Sequence, residues 1–361
     1  MLKRGYKAAL ILLLAMVMLL AGCGGKKDPK EALSSAAVQA MNMESFVTSN
    51  QIKITDLSYT SADSSSATAA QMGAVFSLLK NAEIHIEGIY QQDPMQLELS
   101  LEVKLTGDLS TTITIPMVIA QDKLYIKVPS IPFLALPDTV VGKFLVMDMQ
   151  ELIEQSGQEI NPEMMNNPDK SKKLMGEISN AVFAEYDETT YFKNIDTKDA
   201  QLPDRVSAKQ VVQFAVTNDN IKDALEILIH KVAPKVLDII DKEEYRSMVG
   251  VAPEKIDETR KALQEKDQAE VSQVLDDMLQ HLTVHELTLN TAIDKKDYPA
   301  YQDAYVDIEI NDPATKDKVR LALQFNSTFS KINEKQEFQI GIPTDTITME
   351  QFQQEMGGMG Y

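Results

Sequence analysis

Strict alternation of apolar and polar residues is the clearest pattern in this chain. From Met95 to Thr106 every second residue is Leu, Val or Met, and the residues between them are polar or charged. A period of two gives a strand one buried and one solvated face, which antiparallel sheets provide. Similar strand-like patterns, several separated by short turns, cover residues 51–59, 84–90, 113–119, 124–128, 143–149, 206–216, 282–293, 305–310, 319–329 and 337–342. The pattern predicts a large antiparallel sheet.

Helical spacing of apolar residues marks several segments between and before these strands. Residues 31–46 predict an opening helix, and residues 150–280 form a mainly helical section that contains one predicted strand. Residues 31–345 therefore predict one α+β body, with the helices packed on one face of the sheet. Residues 346–361 predict a C-terminal tail that begins with a short helix.

One connection in the first half of the chain is unusually apolar. Residues 129–141 hold three prolines, so this segment can neither pair as a central strand nor continue as a helix. Two interpretations stay open: a loop packed back on the core, or a lip over an apolar cavity. The candidate lip residues are Ile131, Phe133, Leu134 and Leu136.

The first 22 residues have the layout of a secretion signal. Lys3, Arg4 and Lys7 precede an apolar stretch from Ala8 to Leu20, which is shorter than the roughly 20 residues that a transmembrane helix needs. We therefore expect residues 1–22 to be removed.

The end of this signal resembles the lipobox of bacterial prolipoproteins, on the residues Leu20, Ala21, Gly22 and Cys23. The resemblance implies cleavage after Gly22 and a diacylglyceryl group on the sulfur of Cys23, with two acyl chains giving stable anchoring. Residues 23–30 would then form a tether on the extracytoplasmic face of the bacterial cell membrane. The alternative is an ordinary cysteine at the end of an uncleaved segment. Cys23 is the only cysteine, which excludes disulfides within the chain.

The net charge limits the kinds of partner that the body can bind. The formal net charge is −19, and removal of the basic signal makes it more negative. Such a surface repels phosphate backbones and anionic headgroups, so we expect no nucleic-acid partner and membrane contact mainly through the lipid on Cys23.

The sequence gives no candidate for a catalytic or a metal-binding site. His281 and His285 have the spacing of a helical metal pair, but the residues between them favour a strand, which would hold them too far apart. Weak calcium binding by the loop acids near Asp294 and Asp303 is a second option, and a solvated acidic loop is the simpler one. No nucleophile motif, phosphate loop or dinucleotide fingerprint occurs. We therefore expect a non-enzymatic protein without a cofactor or metal.

A lipobox, an opening helix and a run of antiparallel hairpins interrupted by helices together resemble lipoproteins of the LolA/LppX-like superfamily. The resemblance is one of pattern, over residues 31–345, and it carries over no ligand-binding residue. It implies a strongly curved sheet, close to half a barrel, around an apolar cavity that holds lipid. Two alternatives remain: a tethered envelope or surface interaction protein without a cavity, and a transporter solute-binding receptor, which would need parallel sheets.

Overall fold

The computed structural model describes most of the chain after the signal. The described residues are 26–61, 73, 76, 79–80, 82–106, 110–131, 134, 136–156, 167–265, 268–313 and 315–357.

The strands follow the alternating segments of the sequence. They are β1 (Ser45–Thr60), β2 (Glu83–Gln91), β3 (Gln96–Leu105), β4 (Thr111–Ala120), β5 (Lys123–Lys127), β6 (Phe144–Asp148), β7 (Phe192–Ile195), β8 (Gln210–Val216), β9 (Leu282–Ile293), β10 (Pro299–Asn311), β11 (Lys318–Ser330) and β12 (Thr346–Thr348). Between β4 and β5, Gln121 and Asp122 both have positive φ, at 54° and 58°. Such a two-residue turn suits the twist of a tight hairpin.

The helices lie mainly in the second half of the chain. They are α1 (Pro29–Met41), α2 (Met149–Ser156), α3 (Pro168–Glu185), α4 (Glu188–Tyr191), α5 (Ile221–Ile227), α6 (Ala233–Ile240), α7 (Glu243–Val249), α8 (Pro253–Glu265), α9 (Gln268–Leu279) and α10 (Met349–Gly357). A π-helical turn, Leu228–Val232, joins α5 to α6. Proline opens α1, α3 and α8, where a missing N–H costs nothing.

The twelve strands found among the described residues form one sheet, in the order β12-β6-β5-β4-β3-β2-β1-β11-β10-β9-β8-β7. Every neighbouring pair is antiparallel except β12 with β6. The predicted α+β class with a large antiparallel sheet is therefore confirmed.

The strands pair in a register that places their apolar residues on one face across the sheet, because paired residues share a face. From β8 to β4 the chain of partners is Phe214, Leu289, Ala304, Phe325, Ile52, Ile84, Val103 and Ile113. Met117 lies four residues after Ile113 on β4 and on the same face. Its row of partners continues through Ile126 on β5 and Leu145 on β6 to Ile347 on β12. We call this surface the helix face.

Helices cover the helix face at both ends of the sheet. At the β7–β9 end, Leu33 of α1 and Val232 before α6 pack with Val212 and Phe214 of β8 in the largest core cluster. At the other end, Phe352 of α10 packs against a small core that includes Ile347. The prediction of helices on one face is thus confirmed.

A long segment crosses the opposite face of the sheet. Residues 331–345, here called the strap, begin beside β1, where the Ser45 carbonyl accepts a 2.8 Å hydrogen bond from the Asn333 N–H. They end at β6, where the Asp345 carbonyl accepts from the Phe144 N–H at 3.0 Å. We call this surface the strap face.

Two predictions from the sequence pattern are wrong: one strand, and the C-terminal end of the opening helix. The strand predicted over 337–342 is absent, since these strap residues do not pair with a strand and the N–H groups of 339–341 bind a side chain. The opening helix ends at Met41, so that Phe46 belongs to β1. Residues 253–279 form two helices, α8 and α9. A bulge interrupts β9 at His285, where its register shifts, and the alternation of apolar residues changes parity there, between Val284 and Leu287.

Candidate functional site: an open apolar sheet face

The lipidation motif, Leu20 to Cys23, lies outside the described residues. The described chain begins just after it, and Lys27 is held firmly on β8. Its N–H donates to Oε1 of Gln210 at 3.2 Å, and its carbonyl accepts from Nε2 of Gln210 at 2.7 Å. Gln210 is fully buried. The start of the body is therefore fixed at the helix-covered end of the sheet.

The central part of the helix face is lined by large apolar side chains. They are Ile52, Ile54 and Leu57 on β1; Ile84 and Ile86 on β2; Leu97, Leu99, Leu101, Val103 and Leu105 on β3; Ile113, Ile115, Met117 and Ile119 on β4; Leu124 and Ile126 on β5; and Val319, Leu321, Leu323 and Phe325 on β11. We call this set the open apolar face. It spans six neighbouring strands, and the spacing of strands makes it about 24 Å wide.

None of these side chains belongs to the buried core; all are half-buried. The helices that cover the two ends of the sheet leave this central stretch only partly covered by described residues. An apolar surface of this size on one face of a sheet is typical of a binding surface.

A small polar patch, formed by Thr48 and Asn50 on β1 and Ser327 on β11, interrupts the helix face. The Ser327 hydroxyl donates to Oδ1 of Asn50 at 2.7 Å, and Nδ2 of Asn50 donates to the Thr48 hydroxyl at 3.1 Å. Beside the patch, burial raises the pKa of the Tyr90 hydroxyl. These polar groups satisfy one another, so the patch bounds the open apolar face without adding a charge to it.

Three of the four candidate lip residues are described, and they lie in different surroundings. Leu136 packs with Val128, Val140 and Ile347 in the small core under α10. Leu134 is 44% exposed and pairs with Ile131 through a single bridge. Phe133 lies outside the described residues. The loop is thus anchored through Leu136, while Leu134 remains exposed.

Several acidic residues of the sheet and its turns bind basic side chains or amides. Asp307 accepts two hydrogen bonds from Arg320, at 2.9 and 2.7 Å, and these bonds lower the pKa of its carboxyl. Lys209 binds Asp297 and lowers its pKa in the same way. Asp303 accepts a hydrogen bond from the Asn290 amide at 2.8 Å, but burial raises the pKa of its carboxyl.

The histidines are dispersed. His281 lies in the turn before β9, and His285 is exposed at the bulge. His85 faces Gln51 across the strap face, with Nε2 atoms 3.4 Å apart. Among the described residues no group of acids and histidines could hold a metal ion.

Two cavities could not be predicted from the pattern of apolar and polar residues in the sequence. One, of about 640 Å³, lies among the helices and is lined mainly by polar and charged residues, including Asp223, Glu226 and His230. The other, of about 470 Å³, lies under the strap on the strap face. Both are built from residues far apart in the sequence.

Within the described residues, no helix combines the length and apolarity that crossing a membrane requires. No curated protein matches the chain. Residues 240–350 match a family model described as a family of unknown function, DUF6612; the matched segment runs from the end of α6 through β9, β10, β11, the strap and β12.

Proposed function

We propose that this protein is an extracytoplasmic lipoprotein, tethered to the bacterial membrane by lipid on Cys23, that holds a hydrophobic ligand such as a lipid against its open apolar face. The half-buried state of that face is the observation that carries the proposal. The protein acts by binding, without catalysis.

The chemistry of the face favours an aliphatic ligand. In its central row, Phe325, Ile52, Ile84, Val103 and Ile113 stand side by side on five strands. Each methylene of a ligand that these side chains remove from water contributes about 0.8 kcal/mol. No cation or anion belongs to the open apolar face, so an acyl chain meets hydrocarbon throughout.

The exposed part of the lip supports the same function. Leu134 adds exposed apolar surface in the loop between β5 and β6, and Leu136 anchors this loop to the core. An anchor on Cys23 would keep the body within reach of membrane lipids, because Lys27 is fixed to β8 only four residues later.

A tethered interaction protein without a bound ligand remains the alternative, and it would cover the open apolar face with a partner. A solute-binding receptor draws no support from a single sheet whose pairs are antiparallel except β12 with β6.

Native mass spectrometry of residues 23–361 carrying Cys23→Ser tests the ligand. We expect an added mass that disappears on organic extraction and returns when the stripped protein is incubated with phosphatidylglycerol vesicles. A bare protein mass under both conditions would contradict the proposal.

Two adjacent positions on β3 give a matched pair for this experiment. Leu101 lies on the open apolar face and Glu102 on the strap face. Leu101→Lys places an ammonium among aliphatic side chains, so we expect at least a tenfold loss of bound lipid, whereas Glu102→Lys should retain it. If Leu101→Lys does not fold, as judged by circular dichroism, Ile115→Gln on β4 replaces it. Equal lipid content in both variants would rule out the open apolar face as the site.

Metabolic labelling with a radioactive fatty acid tests the anchor separately. The wild-type protein should carry label in the membrane fraction, and Cys23→Ser should carry none. Equal labelling of the two would end the lipoprotein assignment while leaving the ligand experiment unaffected.

A further inference from the structure

The cavity on the strap face has a floor and a roof from distant parts of the chain. Its volume is about 470 Å³, within the usual range of ligand pockets. The sheet forms the floor, and Gln339 and Ile340 of the strap form part of the roof. It lies on the opposite side of the sheet from the open apolar face.

The floor is one cross-strand row with opposite charges at its two ends. Glu87 on β2 pairs with Ser100 on β3, which pairs with Pro116 on β4. The next residue in this row is Lys127 on β5, since the neighbouring pair is Met117 with Ile126. Ser100 and Pro116 are short, so the middle of the row leaves open space between the two charged ends.

The roof is held in place by backbone hydrogen bonds to one buried carboxylate. Glu98 is only 4% exposed, and it accepts hydrogen bonds from the N–H groups of Gln339, Ile340 and Gly341 at 2.8, 3.0 and 2.6 Å. Its charge is therefore compensated by peptide dipoles. The charges left for a ligand in this cavity are those of Glu87 and Lys127.

Neither of these two charges has an ionic partner among the described residues. The ammonium of Lys127 lies 5.9 Å from the centre of the Phe144 ring, and Glu87 accepts one hydrogen bond from the Ser49 hydroxyl at 2.7 Å. Between them, the Ser100 hydroxyl bonds to no described residue. Val47, Ile89 and Ile340 line the walls with apolar surface.

The distance between the two charges limits the length of a complementary ligand. Glu87 and Lys127 stand three strand spacings apart, or about 14 Å between backbones. An extended peptide advances about 3.3 Å per residue, so three to four residues would span this distance. The side chains of Glu87 and Lys127 shorten the distance between the two charges, which favours a peptide of three residues.

We propose that the cavity under the strap binds a short peptide with free termini, whose ammonium pairs with Glu87 and whose carboxylate pairs with Lys127. The Ser100 hydroxyl donates to a peptide carbonyl in the middle of the ligand. Apolar side chains of the peptide contact Phe144 and Ile340. This site is independent of the open apolar face.

Isothermal titration of the Cys23→Ser protein with Ala-Leu-Ala and Ala-Leu-Leu-Ala tests the site. We expect at least one of the two peptides to bind, and Lys127→Met and Glu87→Gln each to weaken that binding tenfold or more. Lys123→Met is the matched control, because Lys123 lies on the same strand and the same face but outside this cavity. It should leave the affinity unchanged.

Capping the peptide identifies which end meets which residue. The N-acetylated peptide should bind the wild-type protein as weakly as the free peptide binds Glu87→Gln, and it should lose nothing further with that variant. The C-terminal amide should behave in the same way with Lys127→Met. Binding of neither peptide, or equal affinity for free and capped forms, would overturn the proposal.

Discussion

The carboxylate of Glu98 on β3 accepts a 2.6 Å hydrogen bond from the backbone N–H of Gly341, a residue 243 positions later in the chain. Together with the bonds from Gln339 and Ile340, this contact fixes the strap to the sheet. Gly341 has φ of +66°, a left-handed conformation that glycine adopts more readily than other residues.

The first prediction concerns this contact. Glu98→Ala leaves three N–H groups near a buried site without an acceptor, so we expect the free energy of unfolding to fall by about 3 kcal/mol. Glu102→Ala, four residues further along β3 and on the same face, should change it by less than about 0.5 kcal/mol. Urea denaturation followed by circular dichroism measures both. Similar midpoints for the two variants would show that the strap does not depend on Glu98.

The second prediction compares two glycines. A Cβ on Gly88 would lie 2.8 Å from Cγ2 of Thr48 and 3.1 Å from Cδ2 of Leu99, and the β-branched Thr48 has little freedom to move. We expect Gly88→Ala to destabilise the protein by about 1 to 3 kcal/mol. On α3, a Cβ on Gly176 has only Sδ of Met41 nearby, at 3.9 Å, so Gly176→Ala should stabilise by up to about 1 kcal/mol. Thermal melts that move in the same direction would refute this comparison.

The third prediction is a pH dependence. Burial raises the pKa of Asp303 in the folded protein, although Asn290 donates a 2.8 Å hydrogen bond to its carboxylate. The stability that the protonated carboxyl contributes is complete below the ordinary aspartate pKa, and it is lost as the pH rises through the raised pKa. Asp303→Asn keeps an acceptor for Asn290 and removes the charge. We therefore expect it to raise Tm at pH 7 by about 1 to 3 °C.

The wild-type protein and Asp303→Asn should converge in stability when the melts are repeated near pH 3.5, where the wild-type carboxyl is protonated. An advantage of the variant that persists unchanged at that pH would contradict the role of burial.

The fourth prediction separates the packed and the exposed residue of the lip, Leu136 and Leu134. Leu136→Ala should destabilise the protein by about 1 to 2 kcal/mol, because Leu136 packs on Val128 and Ile347. Leu134→Ala should have little effect on stability and should reduce lipid retention in native mass spectrometry. If Leu134→Ala retains lipid fully, Leu134 has no part in the lip.

Alternation along β3 and β4 was sufficient to predict the sheet, since a shift of one residue would exchange its two faces. It also identified which side chains share the open apolar face. The same alternation could not show what covers that face, because a period of two is identical for a filled core and for a half-covered one. Only the packing of α1 and α10 at the two ends of the sheet reveals the difference.

The strap was misassigned for a comparable reason. Phe338, Ile340 and Ile342 alternate like a strand, but the N–H groups of 339–341 bind a carboxylate on β3 instead of a neighbouring backbone. Nothing local distinguishes Glu98 from Glu102 on the same face. The cavity under the strap depends on this long-range contact, so it could not be predicted from the sequence.

The order of the strands also determines how the sheet ends. Its two outermost members, β12 and β7, have three and four residues, whereas β1 in the interior has 16. Short terminal strands offer few unpaired N–H and C=O groups to another molecule, which limits aggregation by strand addition. A chain cut before Thr346 would expose the longer edge of β6, so β12 shortens the hydrogen-bonding edge that another copy of the chain could extend.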